Sequence, residues 1–314
     1  MPYNNLIDRS DAGSLIPEDA SREIIKASID QSAVLTTFRR ATMSRKQQRI
    51  PALSAFPTAY FVDGDTGLKQ TTDVAWANKY LNAEELAAIV PIPEAVLDDA
   101  DFDIWGEVRP LLAEAIGRAV DAAVFFGTNA PASWPTAILT SAIAAGNAVT
   151  YGTNLAAAGG VAADISDTMS LVEADGFDVN GFIARREMRG LLRKARSSDG
   201  QKLLDVDTNM MEGSPVTYAM RGQWPAIAGA GAARLFAGDW TQFMCAVRQD
   251  LTWKILDQAV IQDGTGAIIY NLAQQDMVAL RVVFRVAWQV ANPITHEAVA
   301  DANRYPAAVL RTAP

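Results

Sequence analysis

Apolar residues recur at spacings of three and four between Asp103 and Phe126: Trp105, Val108, Leu112, Ile116, Ala119, Ala123 and Phe126. That period predicts one long helix with a single buried face, leaving Glu107, Glu114, Arg118 and Asp121 mostly on other faces. At 1.5 Å per residue it is roughly 36 Å long. Pro110 lacks an N–H, so it either bends this helix or marks its true start. Asp98, Asp99, Asp101 and Asp103 gather at its N-terminus, where carboxylates suit the helix dipole, and Gly127 suits its end.

The stretch from Pro51 to Pro93 has another rhythm. Tyr60-Phe61-Val62 precedes the turn-forming Asp63-Gly-Asp-Thr-Gly67, and Val74, Trp76 and Tyr80 then follow at spacings of two and four. They can share one face of a strand, so the region reads as a long hairpin with a glycine-rich tip. A two-stranded ribbon is marginal in water unless something covers it. The simplest cover is the body of its own domain; a neighbouring molecule is the other.

Before this hairpin, the first residues to about Ser32 read as an arm, with one short amphipathic helix from Ser21 that Ser21 itself caps. After the long helix the pattern alternates. Asp164 to Ala174 reads as a helix with Ile165, Met169 and Val172 on one face, Phe177 to Ala184 as a strand, and Arg186 to Arg196 as a helix closed by the turn Ser197-Ser-Asp-Gly200. Strand-like runs return from Pro215 to Ile261 with a turn at Gly238-Asp239, and Val278 to Val290 is the last strong strand signal. This mixed order fits an α+β class better than a doubly wound sheet.

Composition narrows the chemistry. One histidine, His296, and one cysteine, Cys245, cannot build the common zinc sites or an intrachain disulfide. A Ser–His–Asp triad would need His296 as its base, and no nucleophile motif accompanies it, so a structural histidine is expected. Asp99-Ala-Asp101-Phe-Asp103 starts like a calcium loop, but Ile104 stands where glycine is required and Pro110 where the bidentate glutamate belongs. Gly229-Ala-Gly231 starts like a dinucleotide fingerprint, but Arg234 fills the third glycine position. No catalytic residue, cofactor or metal ligand is therefore assigned. The apolar run Val278 to Val290 is broken by Arg281 and Arg285, so no membrane-spanning helix is expected. The net charge of −9 argues against a dedicated nucleic-acid binder, though not against a container whose wall must not stick to packed DNA. The run Arg185, Arg186, Arg189, Arg193, Lys194 and Arg196 is read as a solvated or intersubunit salt-bridging helix in preference to a phosphate site.

The order of these pieces resembles the major capsid proteins of tailed bacteriophages with the Hong Kong 97 fold. Leu15-Ile-Pro-Glu and Ser21-Arg-Glu-Ile-Ile look like the family's N-terminal arm, the segment from Thr58 to Thr71 like its extended loop, and Val90-Pro-Ile-Pro-Glu-Ala-Val-Leu-Asp-Asp-Ala leads into what looks like its spine helix. Phe126-Gly-Thr, Trp134-Pro-Thr-Ala-Ile-Leu, Gly213-Ser-Pro-Val and Gly238-Asp-Trp follow in the family's order. The resemblance implies an arm at 1–50, an extended loop at 51–88, a peripheral domain at 89–135 and 247–292, and an axial domain at 136–246 and 293–314. It also implies self-assembly through hexamers and pentamers into an icosahedral shell around double-stranded DNA. Virion localisation, assembly in the host cytoplasm, and portal, scaffold and decoration partners come with it. No long N-terminal scaffold-like segment is evident, so a separate scaffold, or none, is expected to serve. An encapsulin-like nanocompartment enclosing enzymes is the alternative, and a hydrolase with unrecognised carboxylates a more distant one.

On this reading Tyr60, Phe61, Lys69, Trp76 and Tyr80 of the loop touch a neighbour, while Trp105, Val108, Leu112, Ile116 and Ala123 form the core face of the spine helix. Hinges at the hairpin base and at Pro110 would let one chain fit unequal environments. Some relatives weld their shells by joining a loop lysine to an asparagine beside a glutamate. Lys69 or Lys79 could supply the lysine, but Asp276 falls at the acceptor position and Val283 at the glutamate position. A carboxylate has no ammonia to expel, and valine takes no proton from a lysine that is protonated at neutral pH. A non-covalent shell is expected.

Overall fold

The computed structural model describes residues 32–62, 67–99, 103–155, 158–195, 210–227, 229 and 231–313. The arm helix expected at Ser21, the tip residues 63–66, Asp101, and the turn at 197–200 lie outside them. In chain order the elements are α1 (Ala33–Thr37), β1 (Arg39–Thr42), β2 (Gln47–Ala55), β3 (Ala75–Asn82), β4 (Glu84–Pro93), α2 (Glu94–Asp99) and α3 (Ile104–Phe126). Then come α4 (Ile138–Ala144), β5 (Ala148–Thr150), α5 (Val161–Ala174), β6 (Gly181–Ala184), α6 (Met188–Lys194), β7 (Met210–Met211), β8 (Ser214–Tyr218), β9 (Ala226–Ile227) and β10 (Gly231–Gly238). The chain ends through β11 (Phe243–Leu256), β12 (Val260–Gln262), β13 (Ile268–Asn271), β14 (Met277–Val290) and β15 (Ala307–Arg311). The class is α+β, as the alternating pattern implies.

The first sheet has the order β1-β11-β14-β4. Its centre is the long antiparallel pair β11 and β14, and β14 pairs along its length with β4, from Met277 opposite Pro93 to Val286 opposite Glu84. Alternation along β14 sends Leu280, Val282, Phe284, Val286 and Trp288 into one core with α3, while Ala287 points to the other face. The helix forms where its period predicts and ends at Gly127, whose φ of 73° lets its N–H reach back to Ala123. Leu112, Ile116 and Ala123 are buried, and Trp105 and Val108 pack half-buried against the same core.

Ala119 departs from expectation: it is exposed, and Val120 is buried in its place. A 3.6-residue turn drifts, and after Ile116 the inward position falls four residues on, not three. Asp121, expected on another face, is buried. The helix begins at Ile104, so Pro110 marks no start and lies inside it.

The second sheet has the order β5-β15-β10-β6-β8-β7, with β9 on β10. Ile165 and Val172 of α5 are fully buried, as their spacing predicts. Two expectations fail here. Only Gly181–Ala184 of the run Phe177 to Ala184 is strand. Val278 to Val290 is not the last strand, because β15 enters beside β10 with Ala307 to Leu310 completely buried. An aromatic cluster joins the sheets: Phe38 stacks on Trp240 at 5.8 Å, Phe125 meets Phe236 at 5.3 Å, and Phe243 meets Tyr305 edge-on at 5.9 Å.

Candidate assembly interface

Strands β2 and β3 leave this body as a two-stranded ribbon of their own, paired from Gln47 opposite Asn82 to Ala55 opposite Ala75. The ribbon therefore begins inside the expected arm at 1–50 and ends before residue 88, since Glu84 onward belongs to the first sheet. Its root is seated on the outer face of that sheet. Leu81 is fully buried and packs with Met43, Ala83, Ala246 and Ala287.

Polar fastenings add to that seat. Gln289 donates its side-chain N–H to the carbonyl of Tyr80 at 3.0 Å, and the N–H of Ile294 reaches the carbonyl of Leu53 at 3.1 Å. The indole N–H of Trp134 donates to the carbonyl of Asn82 at 3.0 Å. His296 stacks on Phe56 with ring centroids 4.0 Å apart, so the lone histidine fastens the ribbon. Lys79 lies 3.7 Å from Asp301 of its own chain. The hairpin base is thus held from several sides.

No described residue buries the large side chains on the ribbon's other face or beyond Phe56. Trp76 is 64% exposed and Tyr80 is 44% exposed, four residues apart on one face. Phe61, Leu68 and Lys69 at the far end are open to solvent, and Tyr60 is exposed while its hydroxyl donates to the carbonyl of Gln70 at 2.8 Å across the tip. Large apolar side chains concentrated on so thin an element mark an interaction surface. A second such element was not foreseen. Beyond Leu256, β12 and β13 form a small hairpin on which Val260, Ile268, Ile269 and Tyr270 are exposed. The signal was readable: the run Ala267-Ile-Ile-Tyr270 follows the turn Asp263-Gly-Thr-Gly266.

The root of the arm has its own anchor. Ser32 caps α1, and its hydroxyl donates to Asp121 Oδ1 at 2.6 Å, while the N–H groups of Ala33 and Val34 donate to Oδ2 and Oδ1 at 2.8 and 3.0 Å. A buried carboxylate on the spine helix thus accepts the orphan donors of a neighbouring helix start. Gly117 permits the close approach, because a Cβ there would lie 3.2 Å from the Ser32 side chain. Burial, partly offset by the charge of Arg40, pushes the Cys245 thiol up to about 12, so it stays protonated and packs as an apolar group.

The remaining candidates scatter. Asp276 is exposed at the turn into β14, and Val283 is half-buried in the middle of that strand. On α6 and beside it the basic run partly pairs: Arg185 approaches Glu187 at 3.5 Å, a carboxylate it shares with Arg234 of β10 at 3.7 Å, and Arg189 lies over the Tyr218 ring, while Arg196 lies outside the described residues. Among the described residues, no group of three or more His, Cys, Asp or Glu side chains is placed to hold a metal, and no helix is long and apolar enough to cross a membrane.

A family model described as the phage capsid family matches residues 12–299. The chain belongs to the phage capsid family. It is 25% identical over 302 residues to the major capsid protein of Staphylococcus phage 80alpha, covering 93% of this chain and 86% of that one. A solved structure from Microbacterium phage Oxtober96 superposes with a TM-score of 0.86 at 39% identity, covering 98% of this chain and all 100% of that one. One from Mycobacterium phage Adephagia gives 0.85 at 31% identity over 99% of each chain. The fold is the Hong Kong 97-like capsid fold, and the function is that of a major capsid protein, the structural subunit of a phage shell.

Proposed function

We propose that the chain assembles as hexamers and pentamers into an icosahedral head that encloses double-stranded DNA, with each ribbon lying on a neighbouring copy. The observation that carries this reading is the ribbon itself, firmly seated at Leu81 and bare at Trp76, Tyr80 and Phe61. Subunits that trade such elements form obligate interfaces of about 2,000 Å² or more, and many repeated contacts close a shell cooperatively. We read residues 47–82 as the extended loop, the first sheet with α3 as the peripheral domain and the second sheet as the axial domain. Assembly in the host cytoplasm, with portal, scaffold or decoration proteins, is part of the same reading. The shell is non-covalent on this view. Lys79 is occupied by Asp301, and neither Asp276 nor Val283 offers the chemistry of an isopeptide acceptor or its base.

Electron microscopy of the purified protein tests the proposal. Closed shells or rings of six and five subunits are expected. A stable monomer or dimer at high concentration would count against it, and shells carrying an enzyme in place of DNA would favour the nanocompartment alternative.

A further inference from the structure

Between Arg39 and Arg49 the chain carries Arg39, Arg40, Arg45, Lys46 and Arg49 with no acidic residue among them, although the whole chain has a net charge of −9. All five are exposed, and none forms an ion pair with a described residue; Arg40 donates only to the backbone carbonyl of Leu35. Two of them sit on β1, which is one edge of the first sheet, two in the turn after it, and Arg49 on the ribbon directly opposite Tyr80. The opposite edge of the same sheet is β4, and α2 follows it immediately. Glu94, Asp98, Asp99 and Asp103 are exposed there, no basic residue interrupts the sequence from Glu94 to Val108, and these four likewise form no ion pair with a described residue. Cations thus gather on and just after one edge strand of the sheet, and acids on the helical segment that leaves the other edge strand.

We infer that the cationic edge carrying Arg39, Arg40, Arg45, Lys46 and Arg49 docks against the acidic side chains Glu94, Asp98, Asp99 and Asp103 of a second copy, head to tail. A contact between two different edges of identical chains is heterologous, and it closes into a ring when the rotation allows. Mutual repulsion between subunits of net charge −9 makes a local complement useful, and opposed charges fix register and exclude like-charged alignments. Packed duplex would be the other anionic partner. It is disfavoured because the cations run onto the exposed aromatic face of the ribbon, which a phosphate backbone cannot use and a protein surface can. The inference rests on the self-assembly reading, and wild-type shells formed in the same buffer keep the two separable.

Charge swapping tests it. R45E/K46E and D98K/D99K are each expected to keep the wild-type subunit melting temperature while shell yield falls at least about tenfold. The four-fold combination is expected to restore yield to within about threefold of wild type. If either reversal does not fold, R45Q/K46Q and D98N/D99N take its place, with a smaller loss expected on each side. Normal assembly of the single-edge variants, or a combination no better than its parents, overturns the inference. Normal shells of R45E/K46E that fail to retain DNA would overturn it too and assign the edge to the genome.

Discussion

The spine helix and the ribbon both carry large apolar side chains, and the molecule treats them in opposite ways. Leu112, Ile116, Val120 and Phe125 on α3 are buried in the subunit's own core, whereas Trp76, Tyr80, Phe61 and Leu68 on and beyond the ribbon stay exposed among the described residues. The difference separates two free energies within one chain. What α3 buries stabilises the subunit; what the ribbon exposes is released only when a neighbour arrives. Substitutions in the two regions should therefore move different observables.

The largest effect is expected in the helix. Leu112→Ala should cost the subunit about 2–5 kcal/mol through lost burial and a cavity, read as a lower melting temperature of the unassembled protein. A soluble, normally assembling Leu112→Asp variant would break the comparison at once. On the ribbon, Trp76→Ala should remove about 1.5–3 kcal/mol per contact from assembly while leaving the subunit's melting temperature within a degree or so of wild type. Equal losses in both readouts would mean that the ribbon belongs to its own subunit's fold.

Asp121 sharpens the boundary between the two regions. Asp121→Ala strips the buried donors of Ser32, Ala33 and Val34 of their acceptor and should cost the subunit about 1–3 kcal/mol in chemical denaturation. An unchanged denaturation midpoint would show that the anchor contributes little. The smallest effect belongs to Lys79. Its pair with Asp301 is partly exposed, so Lys79→Ala should change stability by less than about 1 kcal/mol. Mature particles boiled in detergent should run as a single band near 33.7 kDa with or without that lysine. A high-mass ladder that disappears in Lys79→Ala or Lys69→Ala would reverse the non-covalent assignment.

Periodicity revealed what depends on one element meeting one face. The α3 stripe, the α5 stripe at Ile165 and Val172, and the shared face of Trp76 and Tyr80 all follow from spacing alone. What pattern missed depends on pairing across the chain. Ala307 to Leu310 is four apolar residues near the C-terminus, too short to declare itself a strand until β10 is there to receive it. Asp121 looked like an outward charge because its partners lie 87 to 89 residues earlier in the chain. The charge polarity around the first sheet was likewise hidden, since only the strand order puts β1, with Arg39, at one edge and β4, which leads into α2 at Glu94, at the other. The ribbon's starting residue was missed for a related reason: Gln47 to Arg49 is polar and carries no hydrophobic signal, so only its pairing with Tyr80 to Asn82 defines it as strand.

Hydrogen exchange compared between free subunits and assembled shells measures the division between the two regions directly. Amides of the helix from Leu112 to Phe126 should be equally protected in both states, because their cover is internal. Amides of the ribbon from Ala52 to Ala55 and from Ala75 to Asn78, and of the hairpin from Val260 to Asn271, should exchange readily in the subunit and gain protection of about tenfold or more on assembly. Ribbon amides equally protected in the free subunit, or unprotected in closed shells, would contradict the claim that this chain keeps its ribbon for its neighbours.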